Sequence, residues 1–367
     1  MTVQHNYETK KQVEQIPQTG VDESLEDNPP SRKLGIALVG LGKYSTEQLA
    51  PALQQTTHCY LAGIVTGTSS KIPGWKKKYE IPNGNIYNYE NFDEIRDNES
   101  IDIIYVVLPN ALHAEFVIRA AKAGKHVICE KPMAVSIDEC DRMIEACKQA
   151  GKLLSIGYRL HFDPYHREVM KWGQAETFGK LAEISARHGS SETDGWRIEK
   201  SLAGGGPLMD LGIYCIQAAR YTTGTEPLAV MAVKGETTQP EKFKNIEESL
   251  QWEMEFPGNI KARCESSYTA DMDLLHANAS HGWFELSPAY SYNGLKGKTA
   301  TGFVDIPDVN QQALQMDDFA LSILTGKPVT VPGEMGRTDM IIIEAIYESM
   351  NTGKKVTLQQ PTLAGTL

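Results

Sequence analysis

LGIALVGLGKYS, residues 34–45, runs an apolar strand straight into a glycine turn and the start of a helix. A strand delivered into such a turn presents backbone N–H groups and a helix N-terminus where a dinucleotide's pyrophosphate can sit. Gly40 allows the tight turn and Gly42 lets the backbone come close to phosphate oxygens. Lys43 and Tyr44 follow on the same loop, and Ser45 stands where the fingerprint prefers a third Gly or Ala. The pattern is therefore G-x-G-x-x-S, which an ordinary strand-to-helix turn also satisfies.

The residues downstream favour the dinucleotide reading. Short apolar runs recur at 36–39, 60–65, 103–108, 126–129 and 153–156, each the length of a strand buried on both faces. Between them lie helix-length patterns such as 111–123, ending at Gly124, and 137–150, ending at Gly151. Ser136 with Glu139 forms a capping-box pattern at the start of the second. Strand and helix alternating in this way predict a doubly wound parallel α/β sheet over residues 34–157, with its ligand crevice beyond the carboxyl ends of the strands.

The residues that follow each run are therefore the candidates. After the second run come Thr66, Gly67 and Lys71, and no acidic residue occurs between Glu47 and Glu80. An NAD site usually carries a carboxylate there for the ribose 2′-hydroxyl; hydroxyls and a lysine suit the extra phosphate of NADP instead. Lys76, Lys77 and Lys78 read better as a solvated helix face. After the third run, Pro109 ends the ladder beyond Leu108 and presents Asn110, which is also a possible helix cap, and His113 sits at the crevice rim. Glu130 and Lys131 end the fourth run, where two buried unpaired charges would cost several kcal/mol. They face the crevice or pair with each other.

Composition excludes other classes. A chain of 367 residues with 41% hydrophobic and 23% charged residues is long enough for about two domains. A net charge of -11 argues against nucleic acid or anionic lipid as a partner. No apolar run approaches a membrane span, and the first 33 residues have no secretory core, so a cytoplasmic location is expected. Residues 1–33 are polar, with Pro29-Pro30 near their end, and read as an arm without a core. Six scattered cysteines, with no C-x-x-C pair, predict buried reduced thiols and no metal site.

The second half, residues 158–367, carries β-type segments at 181–188, 228–236, 250–256, 260–268 and 274–286, followed by helical patterns at 311–324 and 335–350. So large a sheet with so few local helices leaves a face that pairs with another copy. Between those strands lies GGGPLMDLGIY, residues 204–214. A helix opened by Pro207 puts Asp210 and Tyr214 on one face, where they converge on a ligand or form a capped buried tyrosine.

Five ordered motifs then carry a resemblance: VGLGKYS at 39–45, LPNALHAE at 108–115, CEKP at 129–132, GYR at 157–159 and WRIEKSLAGGGPLMDLGIYCI at 196–216. Together they resemble the glucose-fructose oxidoreductase and inositol dehydrogenase family, nearest its glucose-fructose branch. The resemblance implies an N-terminal Rossmann domain, then an α+β domain on a large, mostly antiparallel sheet whose exposed face makes a homodimer or homotetramer. It implies a cis Lys131-Pro132 bond, an acid–base residue at Tyr214, and Asp210 beside the substrate. Trp196, Arg197, Tyr89 and Arg159 match cofactor-side positions.

The implied reaction moves a hydride from C1 of an aldose to NADP and back to a second sugar, giving a lactone and an alditol. An ordinary NADP-dependent sugar 1-dehydrogenase with exchangeable cofactor is the alternative; a non-catalytic dinucleotide-binding regulator is a third reading, opposed by the presence of Lys131, Asp210 and Tyr214 together. Either Tyr214 is the base with Lys131 assisting, or a desolvated Lys131 is the base and Tyr214 orients the hydroxyl. The exported oxidoreductase of that branch is made with a signal, which this sequence does not show.

Overall fold

Leu34–Val39 is a strand, β1, with all six residues buried, because a run of apolar and glycine residues (LGIALV) between helical layers has no face to offer water. The computed structural model describes residues 32–359; the expected arm lies outside them except for Arg32 and Lys33. With β1, strands β2 (Cys59–Val65), β3 (Ile86–Tyr87), β4 (Ile103–Val106), β5 (His126–Cys129) and β6 (Leu154–Ile156) form a six-stranded sheet ordered β3-β2-β1-β4-β5-β6. All neighbours are parallel. This is the Rossmann order, whose switch point lies between β1 and β4.

Helices α1 (Ala50–Ala52), α2 (Ile72–Tyr79), α3 (His113–Lys122) and α4 (Ile137–Gln149) connect these strands. Ser136 caps α4 by accepting from Glu139 N, but the Glu139 carboxylate accepts from Val135 N, so the reciprocal half of the box is displaced by one residue. β3 is two residues long and carried no apolar run. β4 stops two residues short of the expected end, since Pro109 has no N–H for a ladder.

The second sheet has nine strands: β7 (Leu181–Gly189), β8 (Ala229–Lys234), β9 (Ser249–Phe256), β10 (Ile260–Ser267), β11 (Met272–Ala279), β12 (Gly282–Leu286), β13 (Gly297–Thr299), β14 (Gly302–Val304) and β15 (Val356–Thr357). Their order is β14-β13-β12-β11-β7-β10-β9-β8-β15. Only β7 and β10 pair in parallel among these strands. The expected single strand at 274–286 is a hairpin, because Ser280 and His281 turn the chain between β11 and β12.

Five helices complete the fold: α5 (Pro164–Gln174), α6 (Lys200–Ala203), α7 (Ile213–Thr223), α8 (Gln311–Thr325) and α9 (Gly333–Thr352). α7 and α9 cover one face of the second sheet, so helices are scarce on the other face alone. There the strands present alternating Lys, Arg and Glu side chains, with exposed Val233 and Phe303 toward the two edges. The boundary expected at 157/158 follows β6, yet α8 crosses it: Met316, Phe319 and Ala320 pack with Leu34, Ile36 and Leu38 of β1. All six cysteines are buried and free. Among the described residues no helix is long and apolar enough to cross a membrane.

Candidate active site

A cleft of about 730 Å³ opens at the carboxyl ends of β1 and β4 and reaches the second sheet. Its floor begins with the glycine turn. Gly40 has φ +93, and a Cβ there would come within 2.5 Å of the Val107 carbonyl. A Cβ at Gly42 would meet nothing within 4 Å, so that residue leaves open space beside the backbone. Ser45 is buried and donates from Oγ to the Gly40 carbonyl at 2.6 Å. The serine in place of a third glycine therefore ties the turn shut, and a π-helical turn (Ser45–Leu49) follows it.

Beside this turn, Lys71 Nζ donates to the Leu41 carbonyl at 2.6 Å and Thr68 N donates to Thr66 Oγ1 at 3.1 Å. This end of the cleft offers an ammonium and hydroxyls and no carboxylate, which fits a phosphate-bearing nucleotide. Lys43, Tyr44 and Tyr89 line it too. Lys76, Lys77 and Lys78 are solvent-exposed on α2. Gly67 is not part of the lining: a Cβ there would come within 2.8 Å of the Tyr89 ring, so the glycine makes room for that tyrosine.

The other end holds the charged cluster. Leu108, Pro109 and Asn110 line the cleft where β4 ends, and Asn110 Nδ2 donates to the Ala203 carbonyl at 2.8 Å, tying the first sheet to α6. His113 does not reach the cleft. It is fully buried behind the wall, with its ring nitrogens 2.9 Å from the Pro132 carbonyl and 2.8 Å from that of Leu108; burial lowers its pKa. It braces the ends of β4 and β5 against each other.

Glu130 and Lys131 do not pair with each other's side chains. Glu130 accepts from Tyr105 OH at 2.6 Å, and burial raises its pKa. The Lys131-Pro132 bond is cis, and Lys131 Nζ donates to the Asp210 carbonyl at 2.6 Å and to Asp210 Oδ1 at 3.2 Å. Burial alone would lower the Lys131 pKa, but Tyr214, Asp210 and Glu130 outweigh it and the net direction is upward. Lys131 stays an ammonium.

Asp210 lies on a π-helical turn (Leu208–Gly212) that runs into α7 and brings Tyr214 with it, a local form common at functional sites. Its Oδ2 accepts from Arg197 Nε at 3.0 Å and from Tyr268 OH at 3.4 Å. Burial opposes ionisation, yet Lys131 and Arg197 hold the carboxyl at about 2. Arg197 also lies 4.7 Å from the Trp196 ring centroid. The Tyr214 ring has Lys131 Nζ at 4.8 Å and the Arg159 guanidinium at 5.3 Å from its centroid. Lys131, distant in sequence from Asp210 and Tyr214, thus meets both in one cluster.

Several residues escaped sequence reasoning. His188 of β7 lies edge-on to Tyr214, 5.1 Å between centroids, and burial lowers its pKa to about 4. Tyr292 and Asp273 line the cleft from the second sheet and its loops. Buried Glu247 accepts from Gly206 N at 3.1 Å and Leu208 N at 3.2 Å, anchoring the turn that carries Asp210. The aromatic pair Tyr290 and Tyr292 in a polar loop was the one usable signal for this wall.

A Rossmann sheet with a glycine turn at its switch point, and an ammonium, a carboxylate and a phenol at the far end of the same cleft, defines a dinucleotide-dependent oxidoreductase. Comparison with known proteins agrees. Residues 34–158 match the oxidoreductase family with an NAD-binding Rossmann fold, and residues 166–285 match the GFO/IDH/MocA C-terminal domain. The chain belongs to the GFO/IDH/MocA oxidoreductase family. It is 40% identical to aldose-aldose oxidoreductase from Caulobacter crescentus, crystallised with glycerol, over 89% of this chain and 100% of that one, with a TM-score of 0.87. It is 28% identical to the NADP(+) D-xylose 1-dehydrogenase of Haloarcula marismortui over 353 residues, 92% of this chain and 95% of that protein.

Proposed function

We propose that the protein is an NADP-dependent sugar oxidoreductase that oxidises an aldose at C1 and passes the hydride to a second sugar, yielding a lactone and an alditol. The observation that carries the reading is the Lys131–Asp210–Tyr214 cluster at the inner end of a cleft whose outer end fits a phosphorylated nucleotide. Gly40, Gly42, Lys43, Thr66 and Lys71 would hold the phosphates, and the nicotinamide supplies the hydride acceptor.

The side chains divide the remaining work. Asp210, ionised and flanked by two cations, accepts hydrogen bonds from sugar hydroxyls and aligns the ring. Lys131 remains protonated, so it donates to the C1 oxygen rather than taking its proton. That leaves the Tyr214 oxygen as acceptor of the C1 hydroxyl proton, with the positive charges of Lys131 and Arg159 beside its ring to stabilise the negative charge that role requires.

A second reading, a dehydrogenase that exchanges its cofactor each turnover, is favoured by the xylose dehydrogenase relative. The two part on one measurement: absorbance at about 340 nm of purified protein given an aldose without added cofactor. A band that appears, then vanishes on adding a second sugar, supports transfer between sugars. A band that needs added NADP and persists supports the dehydrogenase. No band under either condition overturns both.

The open face of the second sheet, with Phe303 86% and Val233 63% exposed among its charged rows, supports a homo-oligomer formed through that face. Sedimentation tests it: Val233→Asp with Phe303→Asp yields monomers, and an unchanged mass refutes it.

A further inference from the structure

Two aromatic rings meet across the cleft, one from each wall. Tyr44 follows the glycine turn, and Tyr292 stands on the connection between β12 and β13; their rings stack with centroids 5.9 Å apart and planes 30° apart. Beneath them the Arg159 guanidinium lies 4.5 Å from the Tyr292 centroid and 5.3 Å from that of Tyr214. A continuous stack, Tyr44–Tyr292–Arg159–Tyr214, therefore runs from the glycine turn to the reacting end.

The backbone under Tyr292 is pinned. Asp273 Oδ1 accepts from the N–H groups of Ala289 and Tyr290, both at 2.6 Å, and Asp273 Oδ2 accepts from Ser291 Oγ at 2.9 Å. Buried Arg159 donates to the carbonyls of Tyr290 and Ser291 and to the Gln311 side chain. The Tyr292 side chain itself is 42% exposed. What can move here is a single ring on a fixed loop.

We infer that Tyr292, latched onto Tyr44, sets how long the dinucleotide stays bound, and so decides whether the hydride reaches a second sugar or leaves with the cofactor. The inference rests on the dinucleotide reading given above. A dinucleotide reaching from Lys71 to Tyr214 passes the glycine turn, where this pair joins the walls, and it leaves only after the pair has parted. Parting costs the ring stack and the cation–π contact with Arg159, both made by one side chain. With the loop pinned, release follows rotation of Tyr292 rather than opening of the two sheets' layers.

The test compares wild type, Tyr292→Ala, Tyr292→Phe and Tyr44→Ala, each loaded with NADPH and chased with excess NADP while nucleotide fluorescence is followed. Both alanine variants should release NADPH about tenfold faster or more, and Tyr292→Phe, which keeps the ring, should stay within about threefold of wild type. Either alanine variant carries the test if the other does not fold. An alanine variant that folds and releases at the wild-type rate overturns the latch alone. A wild-type protein that takes up no NADPH overturns the latch together with the dinucleotide reading.

Discussion

Asp210→Asn keeps the size of the side chain and an oxygen for Lys131 while deleting the charge. In the native site Lys131 and Arg197 prevail over burial and bring the carboxyl from an ordinary 3.8 to about 2. At 1.36 kcal/mol per pH unit, ionised Asp210 is favoured by about 2 to 3 kcal/mol. Its side chain is only 16% exposed, so solvent removes little of this. A carboxyl whose folded pKa lies below its unfolded one adds stability above the unfolded value and loses it as pH falls toward the folded one. The contribution is therefore nearly complete from neutral pH to about pH 4 and about half gone near pH 3. Urea unfolding at matched pH reads it directly. The variant should be less stable by about 2–3 kcal/mol at pH 7, with the gap roughly halved near pH 3. If the same free energy is used in the transition state, kcat/KM for the aldose falls up to about seventy-fold. A variant as stable as wild type at pH 7, or a gap undiminished at pH 3, refutes the assignment of charge within this cluster.

Lys131→Met should leave NADP affinity within about threefold, by fluorescence titration, while turnover of an aldose falls at least about a hundredfold; near-normal turnover would show that the ammonium is not needed. Lys71→Glu should weaken NADP by about tenfold or more and NAD by less than about threefold, and an equal loss for both nucleotides removes the phosphate assignment. His126, His161, His166 and His188 are each held near about 4, chiefly by burial, so the unfolded chain binds more protons than the folded one between about pH 6.5 and pH 4. Their contribution to stability should be flat above that window and fall through it as pH drops, with fully buried His166 alone worth about 2 kcal/mol at pH 5, against the opposing gain from carboxyls such as Glu130 and Asp339 that burial raises. A urea midpoint unchanged from pH 7 to pH 5 would contradict this.

The first sheet is legible because its strands are buried on both faces. Ile36 to Val39 and Ile103 to Val106 read as apolar runs, and the Gly and Pro residues that close them are visible in the sequence. β3 is not legible, since two residues, Ile86 and Tyr87, make no pattern. The strands of the second sheet alternate polar and apolar residues because one face is open, which shows strands but not where a hairpin turns, and 274–286 reads as one element. In the site, strand-end position picked out Lys131, Glu130 and Asn110, because charge or amide at the end of an apolar run demands a partner. The same logic placed His113 at the crevice, where the turn of α3 instead carries it behind the wall. Asp273 and Glu247 stayed hidden because each acts through a contact with residues at least 16 positions away, for which local patterning has no signal; Tyr292, whose partner Tyr44 is likewise distant, left only the aromatic pair with Tyr290 as a hint.

The bracing of the cleft bears on which reaction it suits. Ser45 to Gly40, Lys71 to Leu41, Asn110 to Ala203 and Lys131 to Asp210 each tie one loop to another, so the reacting groups are positioned before any sugar arrives. In the proposed reaction, oxidation at C1 would leave a proton on Tyr214, and a second sugar that accepts the hydride at its carbonyl carbon would need one on the carbonyl oxygen. By microscopic reversibility the same phenol, under the same two cations, can return it. Two sugars used in turn by one fixed cluster therefore leave no net proton to pass to solvent, whereas a dehydrogenase that exchanges its cofactor must release one each cycle. A rigid cluster with the proposed acid–base group, Tyr214, set between Lys131 and Arg159 meets the first requirement while Tyr292 stays latched.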